Sequence, residues 1–374
     1  MLGSIDYTSG MIRNDTDIHK KLTQRLVAWY KKNKRDLPWR HTNDPYAIWI
    51  SEIMLQQTRV DTVIPFYERF LKTFPSVEAL AQSPLSSVLK AWENLGYYSR
   101  ARNLHAAARV LVERFGCKIP DDPHELLKLP GIGTYTAGAI ASIAFGRAVP
   151  AVDGNVRRIL CRVFAIHEST GDPEVLKALE SMARTLVPEK NPGDFNSAIM
   201  DLGATLCRPK APLCPSCPLE SLCQARLLGL ENELPVVEKR GKIPHRYGVC
   251  AMVFDDKARL LVVQRPSTGL LASLWKLPGG FSLNKKDMAG DLVREVNKEL
   301  GIDIRVGEKI GSVDHVYTHF RLTLFAYEAL WIKDSPSGAP IICHGCQDFR
   351  WASAKDLETL AFSRVDRMIL SHLP

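Results

Sequence analysis

Leu129-Pro-Gly-Ile-Gly-Thr-Tyr-Thr-Ala137 opens the stretch on which the reading of this chain turns. An apolar, helix-like run continues to Phe145, a Gly/Pro-bearing loop spans Gly146 to Pro150, and Val152-Asp-Gly-Asn-Val156 closes it. Gly131 and Gly133 permit a tight turn that opens a helix, whose first backbone N–H groups have no internal partner. Groups presented in this way hold a phosphate with almost no side-chain help. A single carboxylate, Asp153, then stands at the start of another predicted helix. A backbone phosphate grip with one placed Asp suggests chemistry on nucleic acid. An ordinary Gly turn followed by an Asp N-cap fits the same letters.

Working outward, the chain of 374 residues is long enough for two domains, each with its own core. No apolar run approaches the roughly 20 residues of a membrane span, and the N-terminus lacks a signal-peptide core. A cytoplasmic protein that avoids membranes is therefore expected, and it is expected to be a monomer. Residues 1–17 read as a polar, disordered extension, with Met11 an alternative start to Met1. The net charge is +8. Residues 1–242 hold 32 Lys and Arg against 26 Asp and Glu, so most of the excess lies there. That bias fits a polyanionic partner without proving one.

From Ile18 to about Cys223 apolar residues recur at helical spacing, with short polar connections. Helices are predicted at Ile18–Lys32, Asp44–Leu55, Val60–Phe74, Ser76–Gln82, Pro84–Leu95, Ser99–Arg114, Pro123–Lys128, Thr134–Phe145, Asn155–Phe164 and Pro173–Leu186. Residues 231–242 are charged, carry Pro235 and lack periodicity, as a linker does. Beyond them lie the strand-like runs Gly248–Phe254, Leu260–Gln264, Val313–His315 and Thr323–Leu330, with one amphipathic helix, Lys286–Leu300. The expected fold is multidomain: an all-α domain over 18–230 and an α+β domain over 243–374.

Nine cysteines are present. Cys207, Cys214, Cys217 and Cys223 follow C-x6-C-x2-C-x5-C, close enough to surround one soft metal centre. Structural zinc usually takes two C-x2-C knuckles, and only one lies here. Iron–sulfur clusters use four cysteines at irregular short spacings. Iron–sulfur, zinc and unligated thiols all remain open on spacing alone, with iron–sulfur favoured. Cys343 and Cys346 form a lone C-x2-C read as ordinary thiols. Cys117, Cys161 and Cys250 read as packing or surface residues.

Hairpin and cysteine loop together resemble the helix-hairpin-helix base-excision DNA glycosylases, in the branch that carries a 4Fe–4S cluster. The resemblance covers roughly residues 20–225 and implies a structural cluster on Cys207, Cys214, Cys217 and Cys223, with Gly131 and Gly133 in the phosphate-binding hairpin. Members that cleave the strand carry Lys at the position of Tyr135. A phenol cannot form a Schiff base, so base removal without strand scission is implied. Trp49-Ile-Ser-Glu-Ile-Met-Leu-Gln-Gln-Thr-Arg59 resembles the adenine-specific members. By that likeness Glu52 is the general acid that protonates adenine, Asp153 stabilises an oxocarbenium-like sugar, and Tyr135 and Asn155 orient them. An exposed helical Glu is the plainer reading of position 52 taken alone. The adenine pocket falls on Arg35, Leu37, Trp39, Arg40 and Ser197, where Ser departs from the usual Gln or Glu. Gln57, Thr58, Leu95 and Tyr97 match wedge residues that enter the stack when a base is flipped.

Residues 244–374 resemble the Nudix domain. Trp275-Lys-Leu-Pro-Gly-Gly-Phe281 and Arg294-Glu-Val-Asn-Lys-Glu-Leu-Gly-Ile302 follow the outline of its box. Aligned from Gly280, two box glutamates fall on Lys286 and Lys298, leaving Glu295 and Glu299. Magnesium on a diphosphate needs several clustered carboxylates, so the fold is expected without Mg-dependent hydrolysis. The resemblance assigns Tyr317, Thr318 and His319 to recognition of 8-oxoguanine. The implied partner is double-stranded DNA bearing an A:8-oxoG or A:G mispair.

Overall fold

A computed structural model describes residues 16–238, 241–283, 286–332 and 340–371. The expected disorder of residues 1–17 falls almost wholly outside these described residues. Three helices start alike, on an aspartate cap followed by proline. Asp44, Asp122 and Asp172 each accept a hydrogen bond from the N–H two residues on, and Pro45, Pro123 and Pro173 begin Pro45–Leu55, Pro123–Leu126 and Pro173–Leu186. Proline costs nothing there because its missing N–H would be unpaired in any case. Asp153 also caps a helix, Gly154–Val163, but without a proline and with its carboxylate taking the N–H three residues on, that of Val156, at 2.8 Å.

The chain packs as two compact units, residues 1–81 with 106–240 and residues 82–105 with 241–374. In the first, Thr16–Asn33 packs on Pro192–Thr205 and Pro173–Leu186, and Pro192–Thr205 also packs on Thr134–Ile143 and Gly154–Val163. The shared core is apolar: Leu22, Leu26, Val156, Leu160, Leu179, Phe195, Ile199 and Leu202 are buried together. Helix Pro192–Thr205 is not among those the periodicity singles out. Asn196, Ser197 and Asp201 lie on its buried surface, so its apolar stripe is broken where the site is built. It approaches its neighbours through glycine: a Cβ on Gly203 would stand 2.5 Å from the Asn155 Cβ.

The second unit holds two sheets. In chain order the strands are β1 (His245–Val253), β2 (Leu260–Gln264), β3 (Trp275–Lys276), β4 (Gly279–Ser282), β5 (Ile304–Val316), β6 (Arg321–Trp331) and β7 (Asp348–Ala352). One sheet runs β4-β1-β6-β5 with β1 and β6 parallel, and the other runs β3-β2-β7. Helix Met288–Leu300 covers the first sheet through Leu292, Val296 and Leu300, capped by Asp287 and ended by Gly301 at φ +66°. This is the α+β fold expected.

Two features depart from the sequence reading or add to it. Residues 82–105 group with 241–371, and polar bonds join them. The Tyr98 hydroxyl donates to the Phe362 carbonyl at 3.0 Å, and the Glu93 carboxylate accepts from Phe362 N at 2.9 Å and Arg367 Nε at 2.8 Å. Burial would raise the Glu93 carboxyl, but Arg367 and Lys90 hold it below its usual range. Cys343 and Cys346, expected as free thiols, form a disulfide. Their turn hangs on the end of Met288–Leu300, with His344 N and Gly345 N donating to the Glu299 carbonyl, and sets the two Cα atoms 5.1 Å apart, within bridging reach.

Candidate active site

Glu52 sits on Pro45–Leu55 and is 5% exposed. A carboxylate so placed loses its hydration, and burial pushes its pKa up to about 7. The Asp153 charge adds to the rise, while the Tyr135 hydrogen bond and the Arg40 charge oppose it. Tyr135 comes from the first turn of Thr134–Ile143, and its hydroxyl donates to Glu52 Oε2 at 2.7 Å. Met200 Sδ lies 3.1 Å from the same hydroxyl. Burial and two nearby carboxylates drive the phenol well above its usual range, so it is a fixed donor.

Asp153 is held from both oxygens. Oδ1 caps the helix, and Oδ2 accepts from Asn155 Nδ2 at 2.7 Å. Asn155 Oδ1 in turn accepts from Arg158 Nη2 at 2.8 Å, and Arg158 reaches the carbonyls of Gly203 and Cys207. The plain cap and the placed carboxylate are thus the same residue. Both Glu52 and Asp153 line a cavity of about 410 Å³, within the size range of small-molecule pockets.

Arg35, Leu37, Trp39, Arg40 and Ser197 line this cavity too. Trp39 is buried, with its ring edge-on to Tyr67 at 5.4 Å. Arg35 and Arg40 converge on Asp201, a residue that the sequence reading did not single out. Arg35 Nε and Nη2 bond Oδ1 at 2.7 and 2.6 Å, Arg40 Nη2 bonds Oδ1 at 2.7 Å, and Arg40 Nη1 bonds Oδ2. Burial would raise the Asp201 carboxyl, but the two guanidiniums hold it below its usual range.

The hairpin glycines differ. Gly131 takes φ +77°, which the turn requires, whereas Gly133 is the extended cap residue of Thr134–Ile143, with open space where a Cβ would stand. Both are exposed, as a phosphate contact needs. Among the expected wedge residues, Thr58 lines the cavity and Gln57 is exposed at φ +57°. Leu95 is 4% exposed, whereas Tyr97 is 43% exposed at φ +45°. Left-handed backbone at two non-glycine residues costs on the order of 1–3 kcal/mol each and tends to mark functional loops. The Tyr97 hydroxyl shares a hydrogen bond with Thr318 Oγ1 at 3.0 Å. Thr318 and His319 are exposed, and Tyr317 lies against Phe320.

Cys207, Cys214, Cys217 and Cys223 line one cavity with Ile159, Leu202 and Leu219. Arg162, fully buried, donates to Cys207 Sγ at 3.3 Å and to the carbonyls of Arg208, Pro209 and Leu234. Burial raises the thiols of Cys214, Cys217 and Cys223, that of Cys217 to about 12, so metal loading must release protons. Four soft thiols around one cavity are a donor set that fits either zinc or an iron–sulfur cluster.

The family model of HhH-GPD superfamily base excision DNA repair proteins matches residues 50–185, and a NUDIX domain model matches residues 249–372. Human adenine DNA glycosylase is 36% identical over 396 residues, spanning 90% of this chain and 71% of that protein. The mouse adenine DNA glycosylase is 37% identical over 369 residues, spanning 84% and 72%. The chain belongs to the adenine DNA glycosylase family. A solved structure described as a thermostable thymine-DNA glycosylase is similar with a TM-score of 0.52 and 32% identity, covering 57% of this chain and 98% of that one. As an adenine DNA glycosylase family member the chain carries a DNA N-glycosylase site, and the paired carboxylates of its cavity are suited to that chemistry. Among the described residues no helix is long and apolar enough to cross a membrane.

Within this family member, sequence reasoning missed Asp201, Arg158, Arg162 and Met200. All four are polar or adaptable residues at helical spacing, and nothing in their own neighbourhoods marks them. The one available signal was Met200-Asp-Leu-Gly203, a charged residue between apolar ones in a stretch that otherwise reads as core.

Proposed function

We propose that this enzyme is a monofunctional adenine DNA glycosylase that removes adenine mispaired with 8-oxoguanine or guanine in double-stranded DNA, as a monomer. The observation that carries the reading is the Tyr135 hydroxyl on a buried Glu52, beside Asp153 in one cavity. A carboxyl with a pKa of about 7 keeps a proton to give at neutral pH. Glu52 protonates the adenine as the glycosidic bond breaks. Asp153, already fixed by Asn155 and its own helix, faces the positive charge that develops on the sugar. Water completes the hydrolysis. Tyr135 occupies the position at which an amine would attack the sugar, so the abasic strand stays intact.

Residues 18–230 form the catalytic domain in this reading, 231–242 the connection, and 243–374 the part that reads the lesion through Tyr317, Thr318 and His319. Gln57, Thr58, Leu95 and Tyr97 serve the flipped-out state, and Gly131 and Gly133 hold the backbone phosphate. Cys207, Cys214, Cys217 and Cys223 hold one 4Fe–4S cluster, which folds the loop and takes no part in bond cleavage. In the Nudix-like domain Glu299 is already paired with Lys276 at 2.7 Å, which supports a body without Mg-dependent hydrolysis.

The test is a single-turnover assay on duplexes carrying A:8-oxoG, A:G, A:T and thymine glycol. Free adenine from A:8-oxoG without strand scission is expected. Immediate scission with a borohydride-trappable intermediate would move the enzyme to the lyase class. Iron and sulfide in near-equal amounts are expected in the anaerobically purified protein, and a colourless, zinc-loaded protein overturns the cluster.

A further inference from the structure

Asp201 is the most deeply buried carboxylate among the lining and near-lining residues of the cavity, with 0% exposure. It projects from Pro192–Thr205 and binds two arginines at once. Burying an ion pair is weak in stability terms, and an apolar replacement often does as well. Geometry says more. Asp201 takes Arg35 side-on, through Nε and Nη2, and takes Arg40 end-on, through both Nη atoms. A planar guanidinium gripped side-on has its remaining Nη edge facing away from the carboxylate. Arg40 is further fixed over the Tyr30 ring at 5.2 Å, and the Tyr30 hydroxyl bonds Ser197. Tyr30, Arg35, Arg40, Ser197 and Glu52 all line the one cavity.

We infer that Asp201 is a positioning residue for base excision: it fixes Arg35 and Arg40 as one rigid wall of the base pocket and balances the Arg40 charge that faces Glu52. This rests on the reading of Glu52 as the acid. The groups that act on Glu52 are Tyr135 from Thr134–Ile143, Asp153 at the head of Gly154–Val163, and Arg40. Those that act on Arg40 are Asp201, Tyr30 and Glu52. Arg40 favours the ionised form of Glu52. Removing the Asp201 charge leaves Arg40 less compensated, so Glu52 gives up its proton at lower pH. The alkaline limb of the pH–rate profile, where the acid form is lost, then moves to lower pH.

Asp201→Asn keeps the shape and removes the charge. Its single-turnover rate on A:8-oxoG is expected to fall roughly ten- to a hundredfold at pH 7.5 through loosened positioning, with the alkaline limb moved to lower pH. Asp201→Glu, which keeps the charge, is expected to restore the limb. Arg40→Gln provides an independent readout, because loss of its charge moves the limb to higher pH. A wild-type rate and profile in Asp201→Asn overturns the inference. So does an equal loss at every pH with the limb unmoved, which is the mark of a merely structural residue. If Asp201→Asn fails to fold, a limb unmoved in Arg40→Gln overturns it equally. Failure of the underlying reading is distinguishable, since the unaltered enzyme would then release no adenine.

Discussion

Replacing Glu52 with glutamine is expected to abolish turnover and to raise stability above neutral pH. Burial lifts this carboxyl from 4.5 to about 7. Half of the enzyme therefore carries the proton at pH 7, and about a tenth does at pH 8, so the single-turnover rate should fall about tenfold per unit above pH 7. Glutamine has no proton to give, and loss of general acid catalysis costs roughly 10²- to 10⁴-fold. Stability moves the opposite way. The folded protein holds this proton to higher pH than the unfolded chain does. Its contribution is full below pH 4.5 and is lost as pH rises through about 7. At about 1.4 kcal/mol per pH unit, that interval corresponds to about 3 kcal/mol of destabilisation in the wild type at pH 8. Glutamine accepts the Tyr135 hydroxyl through its carbonyl oxygen and carries no charge, so the variant escapes most of this loss. Urea unfolding of both proteins at half-unit steps from pH 4.5 to 8.5 gives the difference directly. It should grow up to about pH 7 and level off above. A variant that is less stable than wild type at pH 8, or that still excises adenine, would refute the assignment of Glu52 as a buried, strained acid.

Tyr135→Phe should leave mispair binding intact and slow excision, with the alkaline limb moved to higher pH, because its hydroxyl stabilises ionised Glu52; pH-dependent single-turnover rates test this. Gly203→Ala places a Cβ 2.5 Å from that of Asn155, which should displace the Asp153–Asn155 pair, cutting the excision rate more than tenfold at a stability cost of about 1–3 kcal/mol, both measurable on one preparation. Cys217→Ser should lose iron and sulfide and lower the melting temperature, read by metal analysis and calorimetry, and exhaustive chelation of the wild type should do the same. Arg367→Met leaves the partly buried Glu93 with Lys90 and one backbone N–H, for a loss on the order of 1–3 kcal/mol by denaturant melts.

Much of this was legible because local rules and burial agreed. Aspartate–proline starts at Asp44, Asp122 and Asp172 and periodic leucines placed those helices within a residue or two. Motif likeness singles out Glu52, Tyr135, Asp153 and Asn155, and the fold brings them to one cavity. Asp201 and Arg162 were not found, because a buried charged residue is identical in sequence to an exposed one until its partners are known. Those partners lie far off: Arg35 and Arg40 precede Asp201 by more than 150 residues. The left-handed backbone at Gln57 and Tyr97 was hidden for a related reason, since neither residue type announces it. Nor does sequence order suggest that residues 82–105, which lie within the matched HhH-GPD span, pack with 241–371.

The Nudix-like domain shows where counting charges stops short. Lys286 and Lys298 stand where the outline of the box has glutamates. The stronger observation is Lys276, in the Trp275-Lys-Leu-Pro segment that precedes the box glycines. Its ammonium is buried and donates to Glu299 Oε2 at 2.7 Å and to the Gly279 carbonyl at 2.5 Å. Glu299 also accepts the Gly279 N–H at 3.1 Å. Burial pushes the lysine down, but the carboxylate beside it supports the charged form. The Lys276 nitrogen thus meets the Glu299 carboxylate at hydrogen-bond distance on a tethered side chain. Leaving Glu299 unpaired in that setting would cost several kcal/mol, and Lys276 supplies the partner that its buried carboxylate needs. Just past the end of β5, Thr318 and His319 are exposed, and the Thr318 hydroxyl shares a hydrogen bond with Tyr97.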